Sequence, residues 1–414
     1  MTGTGRKLNI LMVADYFFPD ELGGSKRYIY DISKALAEKS HNIHVLVRRA
    51  RKNLPSEEMI DGVNVHRYNV INLKVSLFHH YSCILGAFFT FNRLIKKVHF
   101  DVINFHHPLS ALGVNLSIRS RKIPKIYTSH SCWSGELKLE LDYYRQDKFF
   151  FRKSLRIFFF WLRRLEARLI QKINFNKCKK IWVLSENSKS ETIRYHVSKE
   201  KIEVIPGGVD TSRFHPSDDR ISVRKELNMP QDKFIIMSAG RLVFRKGFDN
   251  LIKAMPEIVK KFREKVYLLI AGDGLLEKEL KDLTKRLKLE NHIGFLGAVD
   301  NEKIPLYYCS SDLFVIPSRY MEPFGLVILE ALSSGTPALG TPIGGIKEIL
   351  AKFDKRLLFD SVEPESISKL IEHFIVSGHE YNEIKNKCRD YILKNYSWGV
   401  LILKIENLYY SVRE

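Results

Sequence analysis

Short apolar runs, each followed by a stretch with helical spacing, recur along the whole chain, and that rhythm leaves few folds open. The first half reads "LNILMVA", a helix from about Ser25 to Glu38, "NIHVLV", "GVNVHRY", a helix around Leu77 to Val98, "DVINFHH", a helix near Leu109 to Ser120, and "KIYTSH". A basic helical insert near residues 149–175 precedes "KIWVLSE" and "IEVIPGGVD", where Pro206, Gly207 and Gly208 break the pattern. The second half repeats it with "KFIIMSAGR", "VYLLIAGDG", "HIGFLG", "DLFVIPS" and "TPALGT". Strands alternating with helices predict βαβ units on parallel sheets, an α/β fold. Since 414 residues exceed one ordinary core, two doubly wound, Rossmann-like domains facing across a cleft are expected. Their spans are set at 1–204 and 205–396, and the helical spacing of 397–414 predicts a C-terminal helix packing back toward the N-terminal domain.

Composition narrows the setting. The five cysteines (Cys83, Cys132, Cys178, Cys309, Cys388) are scattered without a CxxC pair, which disfavours a disulfide framework or a zinc site and suits a reducing cytosol. No leader is expected, because Asp15 interrupts the apolar stretch Leu8 to Phe18, and the longest apolar run, around Cys83 to Phe89, is far short of a membrane span. Of the net charge of +20, residues 1–200 carry 35 Lys+Arg against 17 Asp+Glu, or +18, leaving +2 for the remainder. A field of that sign draws anionic partners, whether nucleic acid, lipid surface or phosphorylated substrate.

Doubly wound sheets bind ligands beyond the carboxyl ends of their strands. "RYMEPFGLVILEALSSGTP" sits at one such end. Glu322 precedes a proline and is pushed into an extended loop, while about Gly325 to Leu332 reads as a helix whose first amides lack partners. At roughly 1.5 Å per residue, Glu330 lies on the order of 8 Å past the helix start. The two carboxylates can therefore flank a ligand whose anionic middle rests on the helix N-terminus, the order of a sugar, a diphosphate and a ribose. An amphipathic helix with a solvated Glu330 satisfies the same spacing. "FFPDELGGSKRY" places Gly23 and Gly24 before a helix, as a phosphate-approaching loop or a plain turn. "GRLVFRKG" offers Arg241 and Lys246 after Gly240, as a diphosphate clamp or a solvated basic loop. "YTSHSCW" leaves His130 at a strand end, beside a Cys132 without the base of an activated thiol. In "GFLGAVDNEK", Gly297 and Asp300 follow a strand where backbone groups can meet a nucleobase edge; Asp300 can accept from guanine or cap the next helix.

Together with "GTPIGGIKEIL", "AGDG" and "PGGVDTSRFHP", these stretches strongly resemble the retaining glycosyltransferases of family 4, which have the GT-B fold; the likeness spans nearly the whole chain and is densest from Ser238 to Leu350. The resemblance implies an enzyme that takes a nucleotide sugar as donor. By it, Arg241 and Lys246 bind the donor diphosphate, Glu322 meets hydroxyls of the transferred sugar and Glu330 those of the ribose. Backbone amides of Phe324, Gly325, Leu326 and Val327 meet the distal phosphate and sugar, Gly23 and Gly24 close over the phosphates, and His130 lies against the donor sugar. It implies front-face displacement with no cofactor and no metal. Gly207 departs from the family's usual Asn in the linker, which implies a looser hinge. A sugar-nucleotide 2-epimerase shares the fold but needs no acceptor, and a nucleic-acid-binding protein would use the basic half, yet no recognition-helix, zinc-finger or RNP-like pattern is present.

The basic half concentrates its charge in Lys148 to Lys180, eleven Lys+Arg against Glu166 alone. At 100° per residue, Leu155, Phe158, Phe159, Leu162, Leu165 and Leu169 fall on one side, and Arg152, Lys153, Arg156, Arg163, Arg164 and Arg168 on the other, spoiled by Ile157 and Phe160. Two readings remain: a helix packed on its own domain with a solvated basic face, or an interfacial helix on anionic lipid that serves a lipid-linked or glycan acceptor. The second predicts a cytoplasmic protein held peripherally at the inner face of the cell membrane.

Overall fold

The computed structural model describes residues 6–21, 23–71, 76–135, 137, 153–320 and 322–413. The chain divides into two compact units, Met1–Pro206 with Leu401–Glu414, and Gly207–Val400.

The first unit is built on strands β1 (Asn9–Val13), β2 (Asn42–Arg48), β3 (Glu57–Ile60), β4 (Val63–Tyr68), β5 (Val102–Phe105), β6 (Lys125–Ser129), β7 (Lys180–Val183) and β8 (Ile202–Val204). They run in the order β3-β4-β2-β1-β5-β6-β7-β8. All pairs are parallel except β3 with β4. Strands β1 and β5, nearly continuous apolar runs, and the more polar β6 are buried on both faces, as a parallel sheet covered by helices requires. Between the strands lie helices α1 (Gly24–Glu38), α2 (Ser76–Leu94), α3 (Pro108–Leu116) and α4 (Lys153–Lys177). Pro108 opens α3 where its missing N–H is an orphan in any case. Ala87, Phe91 and Leu94 of α2, Ala111 and Val114 of α3, and Phe175 of α4 share one core with Leu11, Ile103, Tyr127 and Ile181 of the sheet, so these three helices cover the same sheet face. Relative to the expected bounds, α2 stops at Leu94 and α3 at Leu116, with a separate 3₁₀ turn at Ile118–Ser120.

Helix α4 is turned against its own amphipathic pattern. Its inward residues are Ala167, Ile170, Gln171, Asn174 and Phe175, while Leu162, Leu165 and Leu169 are exposed. The packing of the leucine side onto its own domain is therefore not what the structure contains. The buried amides explain how polar residues point inward: Gln171 Oε1 accepts from the Trp133 N–H at 3.1 Å, and Asn174 donates to Pro108 O and accepts from Asn115, both at 2.9 Å. Residues 148–152, including Lys148 and Arg152, lie outside the described residues, as do the side chains of Lys153, Leu155, Arg156, Ile157 and Phe158.

The second unit carries β9 (Phe234–Ala239), β10 (Val266–Ala271), β11 (Ile293–Gly297), β12 (Leu313–Ile316) and β13 (Ala338–Gly340), all parallel, in the order β11-β10-β9-β12-β13. In each sheet the strand order reverses beside the first strand, at β1/β5 and at β9/β12. These switch points, beyond the carboxyl ends, are where such sheets leave a crevice. They direct attention to residues 14–24 and 106–108 in one unit, and 240–247 and 317–325 in the other.

From Leu401 onward the C-terminal helix, Trp398–Ser411, belongs to the first unit, packing back as its spacing predicted. His41 meets Glu406 at 2.8 Å, Arg413 meets Asp101 at 3.0 Å, and the buried Asn104 donates to the Tyr409 hydroxyl at 2.8 Å. Tyr409 is fully buried. Tyr409→Ala is therefore expected to remove about 3–5 kcal/mol from unfolding stability, as large aromatic deletions do, measured by urea denaturation of the intact chain.

Candidate active site

In the second unit, the loops following β9 and β12 converge on one buried carboxylate. Glu322 Oε1 lies 2.8 Å from Lys246 Nζ and 3.3 Å from Arg245 Nη1, and accepts from Ser318 Oγ at 3.0 Å. Its backbone carbonyl accepts from Gly345 N at 2.8 Å, which ties in the start of the helix after β13. Burial works against a charge on Glu322, yet Lys246 and Arg245 beside it hold the carboxyl below its ordinary range. Burial draws the Lys246 ammonium below the usual lysine range, opposed by Glu322 and assisted by Arg245 and Arg241. The cluster is thus an ionised carboxylate inside a cationic ring: Arg241, Arg245 and Lys246 against Glu322 leave a balance of +2.

Next to Glu322 the backbone turns into helix Leu326–Ser333 through Gly325, whose φ of 104° is in the region glycine alone tolerates well. Its N-cap, Gly325, has no side chain with which to cap it, and its first backbone bond within the turn is Ile328 N to Gly325 O. The amides of Leu326 and Val327 are oriented for an anion, with the helix dipole behind them. One turn on, Glu330 accepts from the Tyr308 hydroxyl at 2.8 Å. Burial and Glu330 itself push the Tyr308 phenol well above its ordinary value, so it stays a donor. Phe324 is buried and packs against Gly207, where a Cβ would come within 2.9 Å of Phe324 and Leu326. Gly207 is therefore a close-packing position, and its departure from Asn answers to that contact within the unit.

The remaining sequence candidates divide. Arg241 is exposed at the mouth of the β9 loop, after Gly240. Gly297 ends β11, with open space where a side chain would stand. Asp300 uses its carboxylate on Glu302 N at 3.2 Å and its carbonyl accepts from Lys303 and Ile304, which closes the turn before the helix Ile304–Ser310; the N-cap of that helix is Lys303, without a side-chain cap bond. Sequence reasoning missed Arg245, Ser318 and Tyr308; Arg245 was legible in "FRKG", but Tyr308 lies on another helix and leaves no local signal. Arg319, also missed, bridges Asp249 at 2.5 Å and stacks on Phe244.

In the first unit, Gly23 (φ 141°) precedes α1 without a side-chain cap, and Gly24 is its first residue. Beside them Glu21 joins Lys26 and Arg48, both at 2.7 Å, and both cations lie over the Tyr16 ring. His130 follows β6 and stacks on His106, with His106 Nδ1 to His130 Nε2 at 3.1 Å and Tyr28 edge-on. Burial, then the neighbouring His107, pushes His130 down to about 3. His107 is likewise held down at about 3 by burial and by Lys26 and Arg48, and its Nδ1 accepts from Asp15 N at 3.0 Å, which requires the neutral ring. A neutral His130 can hydrogen-bond a hydroxyl but cannot serve as an acid near neutral pH. Among the described residues, no group of three or more His, Cys, Asp or Glu could hold a metal ion.

Comparison with known proteins converges. The family described as Glycosyltransferase Family 4 matches residues 22–213, and that described as Glycosyl transferases group 1 matches residues 219–391. An uncharacterized glycosyltransferase of Methanocaldococcus jannaschii is 27% identical over 413 residues, covering 97% of this chain and 98% of that protein. A phosphatidylinositol N-acetylglucosaminyltransferase component of Arabidopsis thaliana is 24% identical, covering 97% of this chain and 82% of that protein. Among solved structures, the sucrose-phosphate synthase of Thermosynechococcus elongatus superposes with a TM-score of 0.80 at 21% identity, covering 98% of this chain and 99% of that one.

The histidine cluster sets a pH dependence. Unfolded histidine protonates near 6.5, whereas His107 and His130 do so only near 3. Between those values the unfolded chain binds protons that the fold refuses. Stability is therefore complete above about 6.5 and falls as pH drops, by up to roughly 1.4 kcal/mol per pH unit for each such histidine. Urea denaturation at pH 7.5 and pH 5 is expected to show a lower midpoint at pH 5; equal midpoints would contradict the assignment.

Proposed function

The chain belongs to the family 4, group 1 glycosyltransferases, retaining enzymes of the GT-B fold that take the sugar from a nucleotide-sugar donor, and from that premise we propose that its acceptor is a lipid-linked or surface-glycan precursor at the cytoplasmic face of a membrane and that no metal takes part. The observation that carries the donor side is the buried, ionised Glu322, ringed by Lys246, Arg245 and Ser318 beside an uncapped helix start.

A donor diphosphate laid on the amides of Leu326 and Val327 meets a site with a surplus of two positive charges. As the bond from the sugar to the phosphate lengthens, negative charge grows on the leaving oxygen, and Lys246, Arg241 and Arg245 are already in place to stabilise it; preorganised charge of this kind is usually the largest catalytic contribution. Glu322, ionised and fixed, accepts hydroxyls of the transferred sugar and favours positive character at its ring. Glu330, oriented by Tyr308, accepts the ribose hydroxyls. In front-face displacement the departing phosphate takes the acceptor proton, so the chain need not supply a base. For the nucleotide we propose guanosine or uridine diphosphate, with the Asp300 carboxylate as the group that would favour guanine. For the acceptor, support comes from the +18 balance of the first 200 residues and from the Arabidopsis relative, whose name pairs sugar transfer with phosphatidylinositol.

Glu322→Gln is expected to lower turnover more than donor affinity, and Glu330→Gln to do the reverse, read from kcat and KM for the donor; unchanged values in both would overturn the assignment. Lys246→Ala and Arg241→Ala are each expected to lose about a hundredfold in kcat, on the order of 3 kcal/mol, while remaining folded by circular dichroism. Activity is expected to persist in EDTA, and a strict demand for Mg²⁺ or Mn²⁺ would defeat the metal-free reading.

A further inference from the structure

Two neighbouring helices of the first unit turn apolar stripes away from the core. On α2 the stripe is Phe78, Tyr81, Leu85 and Phe89; on α4 it is Leu162, Leu165, Leu169 and Ile173, with Trp161 beside it, and all nine side chains are 39–65% exposed. The spacing is that of one helical face in each case. The inner faces of the same helices, Cys83 and Ile84 on α2 and Ile170 on α4, meet in a shared apolar cluster, and His80 touches Glu166 at 3.3 Å. Since both helices cover the same face of the sheet, both stripes look outward from it. Monomeric proteins seldom expose contiguous apolar surface of this kind without a partner for it.

The charges around the stripes say which partner. On α4, Arg163, Arg168 and Lys172 are exposed, and Glu166, the only acid of the helix, is turned toward His80. Helix α2 carries no acid, and Arg93 stands exposed near its end. Apolar stripes bordered by cations, in the half of the chain that holds +18, match the surface of an anionic bilayer, which accepts both kinds of group at one depth. A protein partner would have to offer an apolar groove edged with acid.

We propose that the outer faces of α2 and α4 together form a membrane-docking surface that inserts Phe78, Leu85, Phe89, Leu162, Leu165 and Leu169 into the headgroup boundary of an anionic bilayer. The apolar residues do the inserting and the arginines hold the approach; the side of α4 that carries Ala167, Ile170, Gln171, Asn174 and Phe175 stays inside the protein. The inference deepens the membrane-face reading and rests on it for its purpose only, because docking needs neither donor nor acceptor.

The test is co-sedimentation of the whole chain with vesicles of phosphatidylcholine alone and of phosphatidylcholine mixed with phosphatidylglycerol. Wild type is expected to bind the mixed vesicles, less so as salt is raised, and to leave the neutral ones. Leu162→Ser/Leu165→Ser/Leu169→Ser, Phe78→Ser/Leu85→Ser/Phe89→Ser and Arg163→Glu/Arg168→Glu/Lys172→Glu are each expected to weaken binding at least about tenfold. Lys278→Glu/Lys285→Glu, on exposed positions of the second unit, is expected to bind as wild type does. Trp161 emission is expected to shift to the blue on mixed vesicles, a signal lost in Trp161→Phe. Absent binding by wild type, or serine variants that bind unchanged, would overturn the proposal. So would lipid-free self-association abolished by the same serine changes, which would give the surface to a second copy of the chain. Sugar transfer to a water-borne acceptor with docking intact would instead defeat the lipid-linked reading and leave the surface standing.

Discussion

One residue, Glu322, joins three strand-end segments of the second unit. The Glu322 carboxylate meets Lys246 and Arg245 from the loop after β9 and Ser318 from its own loop after β12, and its backbone carbonyl accepts from Gly345 N, at the start of the helix after β13. Leu242 and Phe324 anchor two of these loops in the core, but a buried charge has meaning only with its partners present: taking one away strands the other in a poorly solvated place. The consequence is a cluster assembled as a whole. The same contacts that tie the loops together also bring the cations to the start of helix Leu326–Ser333, so the stability of the loop ends and the readiness of the proposed donor site have one origin.

At their strand-end clusters around Glu322 and His130 the two units treat charge differently, although the first also buries an ion pair, Arg67 with Asp20. In the second, burial is met with ion pairs, and the groups stay ionised. In the first, the residues beyond β5 and β6 are histidines that burial keeps neutral, and they satisfy one another and the backbone as neutral rings. Polar groups there can orient a hydroxyl without adding charge to a region whose surface is already strongly basic.

The strands were legible because parallel sheets buried on both faces demand continuous apolar runs, and "LNILMVA", "KFIIMSAGR" and "DLFVIPS" each supply one. Strand β3 was not legible: "EEMI" is an edge strand with alternating exposure, and it exists because β4 offers it backbone partners. The rotation of α4 was out of reach for a similar reason. Periodicity counts leucines, but the helix was set by two amides, Gln171 and Asn174, whose partners lie some 38 to 66 residues earlier in the chain. At the site, Glu322, Lys246 and the glycine turn follow from local chemistry, whereas Tyr308 behind Glu330 depends on a tertiary contact across 22 residues.

The first unit is discontinuous along the chain, since Leu401–Glu414 complete what residues up to Pro206 begin. This has a bearing on biosynthesis. The second unit is contiguous, and its residues emerge from the ribosome in one block, free to fold as they appear. The first waits: until the last helix is released, the Asn104 amide lacks the Tyr409 hydroxyl and His41 lacks Glu406. The unit that begins first is therefore completed only after the second unit has been made, and until then the basic unit stands open along the surface that Leu401–Glu414 close.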